Sequence, residues 1–403
     1  MVQVAILGFG VVGSGAAEVL ADNRRVIEKN IGKTVAVKRI LDLRDFPNSP
    51  FGHLVTHDFG EILADKEISI VAEMMGGSHP AYDFTKACLE AGKSVVTSNK
   101  EVVARFGAEL LEIAAANGVR YLFEASVGGG IPIIRPMIND LASNEIRTVN
   151  GILNGTTNYI LTQMFENGVS FEGALADARA KGYAEANPAA DVEGLDAARK
   201  IVILAALAFG KLLSPDAIHC EGITKLTSED VAVARALGCS VKLIGHTRRV
   251  GERVLAMVSP RMIPCSNPLA GVSDVFNGIL VDANMLGECM FYGKGAGKLP
   301  TASAVVADII DIAAHENGVE RAPVFVPATE ADYADFASYR TRSCFSFVTA
   351  ADAEAKIRAA FGAVQTVKVG ERIAFISDEM SEAEAEAAAA KTGLTLASRI
   401  RMI

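Results

Sequence analysis

Apolar residues along this chain gather in short runs, each closed by a glycine or a polar turn and followed by a stretch with helical spacing. Val2 to Leu7 is the first run and ends at Gly8; Val11 to Leu20 continues as a helix, and Thr34 to Leu43 reads as a second strand. Further strand-like runs follow at Ile68 to Met74, Ser94 to Thr97 and Val119 to Glu124, with helical stretches such as Ala81 to Ala91 and Gly107 to Asn117 between them. Strands buried on both faces lose the alternation of a half-exposed strand, so this opening predicts a parallel, doubly wound sheet covered by helices on each side.

From about Ile131 the pattern changes to a helical stretch, a strand at Arg147 to Leu153, and longer helices at Tyr159 to Asn167 and Leu195 to Phe209. A glycine-rich segment, Gly293 to Lys298, leads into an apolar helix, Ala302 to Ala314, long enough to return to the first domain. The last stretch alternates as strand (Arg340 to Val348), helix (Ala353 to Phe361), strands (Ala363 to Val369, Arg372 to Ser377), helix (Ser381 to Thr392) and strand (Leu394 to Met402). That βαββαβ order is ferredoxin-like. The reading is therefore α/β with three parts: a Rossmann-type dinucleotide domain over 1–130, completed by 300–325; an α+β substrate and dimerisation domain over 131–299; and a small module over 338–403.

Composition narrows the function classes. Half of the 403 residues are hydrophobic, yet the longest unbroken apolar run, Ile201 to Phe209, is far shorter than a bilayer span. A formal charge of −9 with no basic stripe gives nothing to displace counterions from nucleic acid or an anionic membrane. Six cysteines without a C-x-x-C pair, and a first apolar run that enters a glycine turn rather than a cleavage site, are the pattern of a cytoplasmic protein with reduced thiols. A small-molecule partner is the expectation.

Gly8-Phe9-Gly10-Val11-Val12-Gly13 fits G-x-G-x-x-G between a strand and a helix, where glycines permit a tight turn and close approach of a pyrophosphate to the helix N-terminus. Asp42 ends the second strand, where an acid would bond the adenosine ribose and repel a 2′-phosphate; Arg44, just beyond, would attract that phosphate. NAD and NADP both stay open, with Asp42 tipping the balance to NAD. Ser98-Asn99-Lys100 follows a strand and so falls on the ligand-binding edge of the sheet. Asp196 and Lys200 are four apart and share one helix face, with Glu185 and Asp191 in the preceding loop as further carboxylates. Spacing alone makes a surface ion pair of them; the apolar helix that follows argues for something more buried.

The stretch from Gly182 to Lys200, with Asn154 to Leu161, Phe123 to Pro132, the glycine loop and Thr97 to Lys100, resembles the homoserine dehydrogenase family over most of residues 1–325. The resemblance implies reversible reduction of L-aspartate 4-semialdehyde to L-homoserine with a nicotinamide cofactor, a step of threonine and methionine biosynthesis. It implies Lys200 as proton donor or acceptor, Lys100 assisting beside substrate and nicotinamide, and Glu185 and Asp196, with Gly182 and Asp191, around the substrate. It also implies a structural monovalent cation, usually sodium, held partly by backbone carbonyls at Glu124, Val127, Gly129 and Ile131, and a homodimer formed through the second domain.

The C-terminal order is similar to that of an ACT module, but the first turn here is Thr349-Ala350-Ala351-Asp352, without the usual proline and glycine, so feedback by threonine is not carried over. Two rivals are weighed. A phosphorylating semialdehyde dehydrogenase needs a nucleophilic cysteine motif that no cysteine here provides. A catalytically inactive NAD(P) sensor has no use for the set Glu185, Asp196 and Lys200.

Overall fold

The computed structural model describes residues 1–315 and 322–403. The end of the predicted 300–325 return segment, residues 316–321, lies outside the described residues. Six parallel strands form the first sheet: β1 (Val2–Leu7), β2 (Val35–Leu41), β3 (Val55–Thr56), β4 (Ile68–Glu73), β5 (Ser94–Thr97) and β6 (Tyr121–Leu122), in the order β3-β2-β1-β4-β5-β6. The strand order reverses between β1 and β4, which opens a crevice at the strands' carboxyl ends. Alternate residues of β1 serve opposite faces. Val4 and Ile6 pack with Leu20 of α1 (Val11–Asp22) and with Val305 and Ile309 of the return helix Lys298–Ala314. Ala5 and Leu7 pack on the other face with Leu89, Val103 and Leu110.

Two element ends differ from the pattern-based reading for local reasons. Helix α2 spans Lys100–Ala116 rather than starting near Gly107, because the Asn99 side chain accepts from the N–H groups of Glu101 and Val102 and caps it there. Strand β6 stops at Leu122 because a 3₁₀ turn, Glu124–Ser126, follows and turns the chain toward the second domain.

Beyond it, a second sheet is built from β7 (Ile146–Ile152), β8 (Cys239–Val250), β9 (Arg253–Pro264), β10 (Phe276–Ala283) and β11 (Gly287–Lys294). Helix α3 (Leu195–Phe209) crosses this sheet so closely that a Cβ on Gly245 would meet Ile201 at 3.1 Å. The four C-terminal strands, β12 (Ser343–Val348), β13 (Thr366–Val369), β14 (Arg372–Ile376) and β15 (Leu396–Met402), extend the same sheet, giving the order β11-β10-β7-β8-β9-β15-β12-β14-β13. Within the module the order 4-1-3-2 is ferredoxin-like. Its junction with the second domain is the parallel pair Arg261↔Arg401 and Met262↔Met402.

Buried charge reinforces that junction. Glu382 accepts from both Arg399 and Arg401 at 2.9–3.1 Å, and Arg401 also reaches Glu221 at 2.9 Å; Arg372 reaches Asp230 at 2.8 Å. Glu382→Ala leaves the largely covered Arg399 without its anion. It is expected to lower stability by about 3 kcal/mol, the scale for breaking a buried pair from one side, read as an earlier midpoint in urea unfolding. An unmoved midpoint would show that the cluster does not hold the module.

Candidate active site

The glycine loop between β1 and α1 is built on close approach. Gly8 takes φ +88°, and a Cβ on Gly13 would lie 2.0 Å from the Gly8 carbonyl oxygen, so that position admits no side chain. A Cβ on Gly10 would meet nothing within 4 Å: the space above the first turn of α1 is open, where unpaired N–H groups of the helix offer an anion site. Phe9 turns inward, edge-on to Phe46 and Phe51, and contributes its backbone N–H.

That N–H donates to the Asp42 carboxylate at 2.8 Å. The Arg44 side chain grips the same carboxylate through Nε at 2.9 Å and Nη2 at 3.0 Å, and rests over the Phe46 ring. Arg44's guanidinium, with the two backbone N–H groups, holds the Asp42 carboxyl down at about 2. The two residues that pull toward different cofactors are thus one bidentate pair at the tip of β2, with the arginine turned to solvent and the acid beneath it.

Across the crevice a cleft of about 750 Å³ is lined from the first domain by Val11, Val12, Ser98 and Lys100, and from the second by Gly182, Glu185, Asp191, Asp196 and Lys200. Asp196 sits in the first turn of α3, behind Gly194 in the left-handed conformation. Its Oδ2 pairs with Lys200 Nζ at 2.7 Å and its Oδ1 with Lys100 Nζ, also at 2.7 Å. Lys200 donates as well to the Leu153 carbonyl at 2.7 Å. Asn154 Nδ2 bridges Asp191 (2.7 Å) and Asp196 (3.0 Å).

Burial alone would raise the Asp196 carboxyl, but the adjacent ammonium groups of Lys200 and Lys100 hold it well below the usual carboxylate range. Lys200 is largely buried, and loss of water lowers its pKa below the ordinary lysine value despite the Asp196 charge. Burial pushes the Asp191 carboxyl up. Glu185 stands exposed on the rim of the cleft, two residues after Tyr183, whose carbonyl accepts from Thr156 at 2.6 Å.

Glu124, Val127, Gly129 and Ile131 lie together, buried, at the domain junction. The Glu124 carboxylate is already used by the N–H groups of Ile133, Ile134 and Arg135 at 2.6–2.8 Å. Among the described residues no group of three or more His, Cys, Asp or Glu could hold a metal, so a cation here would have to be held by main-chain oxygens. Gly129 faces the Gly293–Lys298 segment: its Cβ would lie 2.4 Å from the Gly295 carbonyl oxygen. Gly295, Ala296 and Gly297 in turn line the cleft with Pro300 and Thr301.

Asn154 was not singled out as a site residue by pattern; its signal is an asparagine just ahead of a helix, where it caps Thr157 through Oδ1 and turns its amide toward the two aspartates.

A dinucleotide grip on one wall and a dry, charge-balanced lysine on the other are the two halves of hydride and proton transfer, which defines a nicotinamide-dependent oxidoreductase. Residues 8–124 match the family described as homoserine dehydrogenase, NAD binding domain, and residues 132–310 that described as homoserine dehydrogenase; the chain belongs to the homoserine dehydrogenase family. It is 44% identical to the homoserine dehydrogenase of Neisseria gonorrhoeae over 318 residues (77% of this chain, 72% of that one) and 45% identical to that of Synechocystis over 317 residues (77% and 73%). The crystal structure of a homoserine dehydrogenase from Thiobacillus denitrificans superposes with a TM-score of 0.89 at 34% identity, covering 100% of this chain and 98% of that one. A hyperthermophilic archaeal homoserine dehydrogenase in complex with NADPH gives 0.65 at 27% identity over 77% of this chain and 97% of its own.

The glycine geometry makes a paired prediction. Gly10→Ala should leave thermal unfolding unchanged while weakening dinucleotide binding at least tenfold, about 1.4 kcal/mol, in a fluorescence titration with NADPH; Gly13→Ala should lower the unfolding temperature as well. Wild-type affinity in folded Gly10→Ala would remove the loop from the cofactor site.

Proposed function

We propose that the chain reduces L-aspartate 4-semialdehyde to L-homoserine, reversibly, in the cleft between the glycine loop and α3. The observation that carries this reading is the bridge Lys100–Asp196–Lys200, in which a lysine from each domain meets one buried carboxylate. When bound, the dihydronicotinamide supplies the hydride.

The chain's residues do the rest. An ammonium has three donors; Lys200 spends two on Leu153 and Asp196, leaving one for the carbonyl oxygen. As the aldehyde carbon is reduced, that N–H stabilises the developing alkoxide and delivers the proton that completes the alcohol. Its lowered pKa makes the proton easier to give and, in the reverse direction, keeps a larger share of the amine deprotonated and ready to accept the alcohol's proton. Lys100 adds positive charge at the same oxygen. Glu185 and Asp196 receive the substrate's ammonium and hydroxyl groups, with Gly182 and Asp191 shaping the wall.

We assign the nucleotide end to Asp42 and Arg44. Asp42 favours NADH through the ribose, and Arg44, exposed and held by a single carboxylate, is free to turn to a 2′-phosphate, so NADPH is accepted too. The carbonyls of Glu124, Val127, Gly129 and Ile131 are read as holders of a sodium-like cation; the Glu124 carboxylate is already committed to three backbone N–H groups, which leaves the main-chain oxygens for that role. The 338–403 module is read as ACT-like, the enzyme as a cytoplasmic homodimer joined through the second domain. No described helix is long and apolar enough to cross a membrane.

Steady-state oxidation of L-homoserine with NAD⁺ and NADP⁺, in sodium and in choline salts, tests the reading. Lys200→Ala is expected to lose kcat by about 10²–10⁴-fold while still binding NADPH, and Arg44→Ala to shift preference toward NAD. A wild-type protein that binds NADH but turns over neither cofactor would instead be a sensor.

The pH dependence carries a sign. Alcohol oxidation needs Lys200 deprotonated, so kcat/KM should rise with pH through a value below lysine's ordinary ~10.4. The Asp196 charge stabilises the Lys200 ammonium and the Lys100 charge opposes it. Asp196→Asn should therefore move that value down and Lys100→Met should move it up; shifts in one common direction would remove Lys200 from the proton step.

A further inference from the structure

Glu73 closes β4 beside the point where the strand order reverses. It is completely buried, and among the described residues it makes no ion pair with a lysine, arginine or histidine. A carboxyl group removed from water with no cation beside it is costly, and burial pushes its pKa up despite the hydrogen bonds it accepts. It is not part of the substrate cleft, and neither cofactor binding nor proton transfer as described above uses it.

Its hydrogen bonds run in one direction. Oε1 accepts from the Met75 N–H at 2.7 Å, and Oε2 accepts from the Thr97 hydroxyl at 2.6 Å. The Thr97 oxygen in turn accepts from the Asn99 N–H at 2.9 Å. Asn99 caps α2 with its side-chain oxygen and, through Nδ2, donates to the Gly77 carbonyl at 2.7 Å. The loop after β4 and the loop after β5 are thereby stitched together from one buried acid, and the residue next to the capped position is Lys100.

Lys100 has a flexible four-carbon stem and a half-exposed side chain. Among the described residues its one ion pair is with Asp196, and its Cα is fixed by the first turn of α2. Where that Cα sits decides whether the ammonium arrives at Asp196 Oδ1 or falls short of it.

We propose that Glu73 is a positioning residue for the proton-transfer site: through Thr97 and Asn99 it fixes the first turn of α2, from which Lys100 crosses to Asp196. The proposal rests on the reading of Lys100, Asp196 and Lys200 as one functional cluster. A role confined to stability would lower the unfolding temperature but would act independently of Lys100.

The test is a double-mutant cycle in the full-length protein, with kcat and KM for L-homoserine measured at saturating cofactor. Thr97→Val removes the bridging hydroxyl and keeps the branched shape. It is expected to lose about 10–100-fold in kcat, the scale for a displaced catalytic group, with KM little changed; Thr97→Ser should recover most of the loss. In a Lys100→Met background Thr97→Val should cost nothing further, because the group it positions is gone. Equal losses in both backgrounds, or wild-type kcat for Thr97→Val alone, would overturn the proposal while leaving the cluster intact. Wild-type kcat for Lys100→Met would overturn the cluster reading, and the proposal with it. If Thr97→Val does not fold, Glu73→Gln takes its place in the cycle and is judged by the same outcomes.

Discussion

Two lysine ammonium groups cannot meet at one point unless an anion lies between them, and the buried Asp196 is that anion. Its demands explain much of the architecture. One ammonium comes from the same helix, four residues on, which the α-helical repeat places on the same face. The other comes from the opposite domain, so the sheet that carries α2 and the sheet beneath α3 must be held in one relation. The turn ahead of α3 is held just as firmly: a Cβ on Gly222 would lie 2.2 Å from the Val192 carbonyl oxygen, so the segment after Cys220 is pressed onto the backbone that leads into Asp196.

The junction between domains follows the same economy of space. Gly129, Gly130 and Gly295 each sit where a Cβ would strike the opposing segment: Gly130 meets Pro300 at 2.8 Å, and Gly295 meets the Asn277 side chain at 2.0 Å. Chains that pass this closely leave a cleft bordered by helix starts, those of α1, α2, α3 and the Lys298–Ala314 helix among them. Their partial positive charges favour an anionic dinucleotide and an amino-acid carboxylate in the same space.

How far all this could be read from residues alone depended on the range of the interaction. The β1–α1 turn was legible, because a glycine loop and its apolar flanks are local. The Asp196–Lys200 pair was legible for the same reason, and α3 runs over Leu195–Phe209 as its apolar spacing predicted. The contact of Lys100 with Asp196 is not legible from spacing, since it joins residues of different domains; the family resemblance implies both residues near the substrate but not their pairing. Strands β8 to β11 escaped the pattern reading altogether. The two longest, β8 and β9, are buried on most positions and interrupted by Lys242, His246 and Arg261, which read as surface residues but are buried in the sheet. The cofactor pair Asp42 and Arg44 was read as a conflict because a sequence cannot show that one side chain holds the other.

The continuity of the second sheet through β15 has a consequence for how the chain is made. β9 emerges from synthesis with β8 beside it, but the stretch at Arg261 and Met262 pairs with β15, which follows only after the other three strands of the module. Until then the Arg261–Met262 end of β9 offers an unpaired edge to any other strand in reach, since His219–Cys220 covers only Met257 and Val258, and a nascent chain in that state is exposed to misassembly. The module that completes the sheet therefore also ends this vulnerable interval, acting as an edge guard during biogenesis.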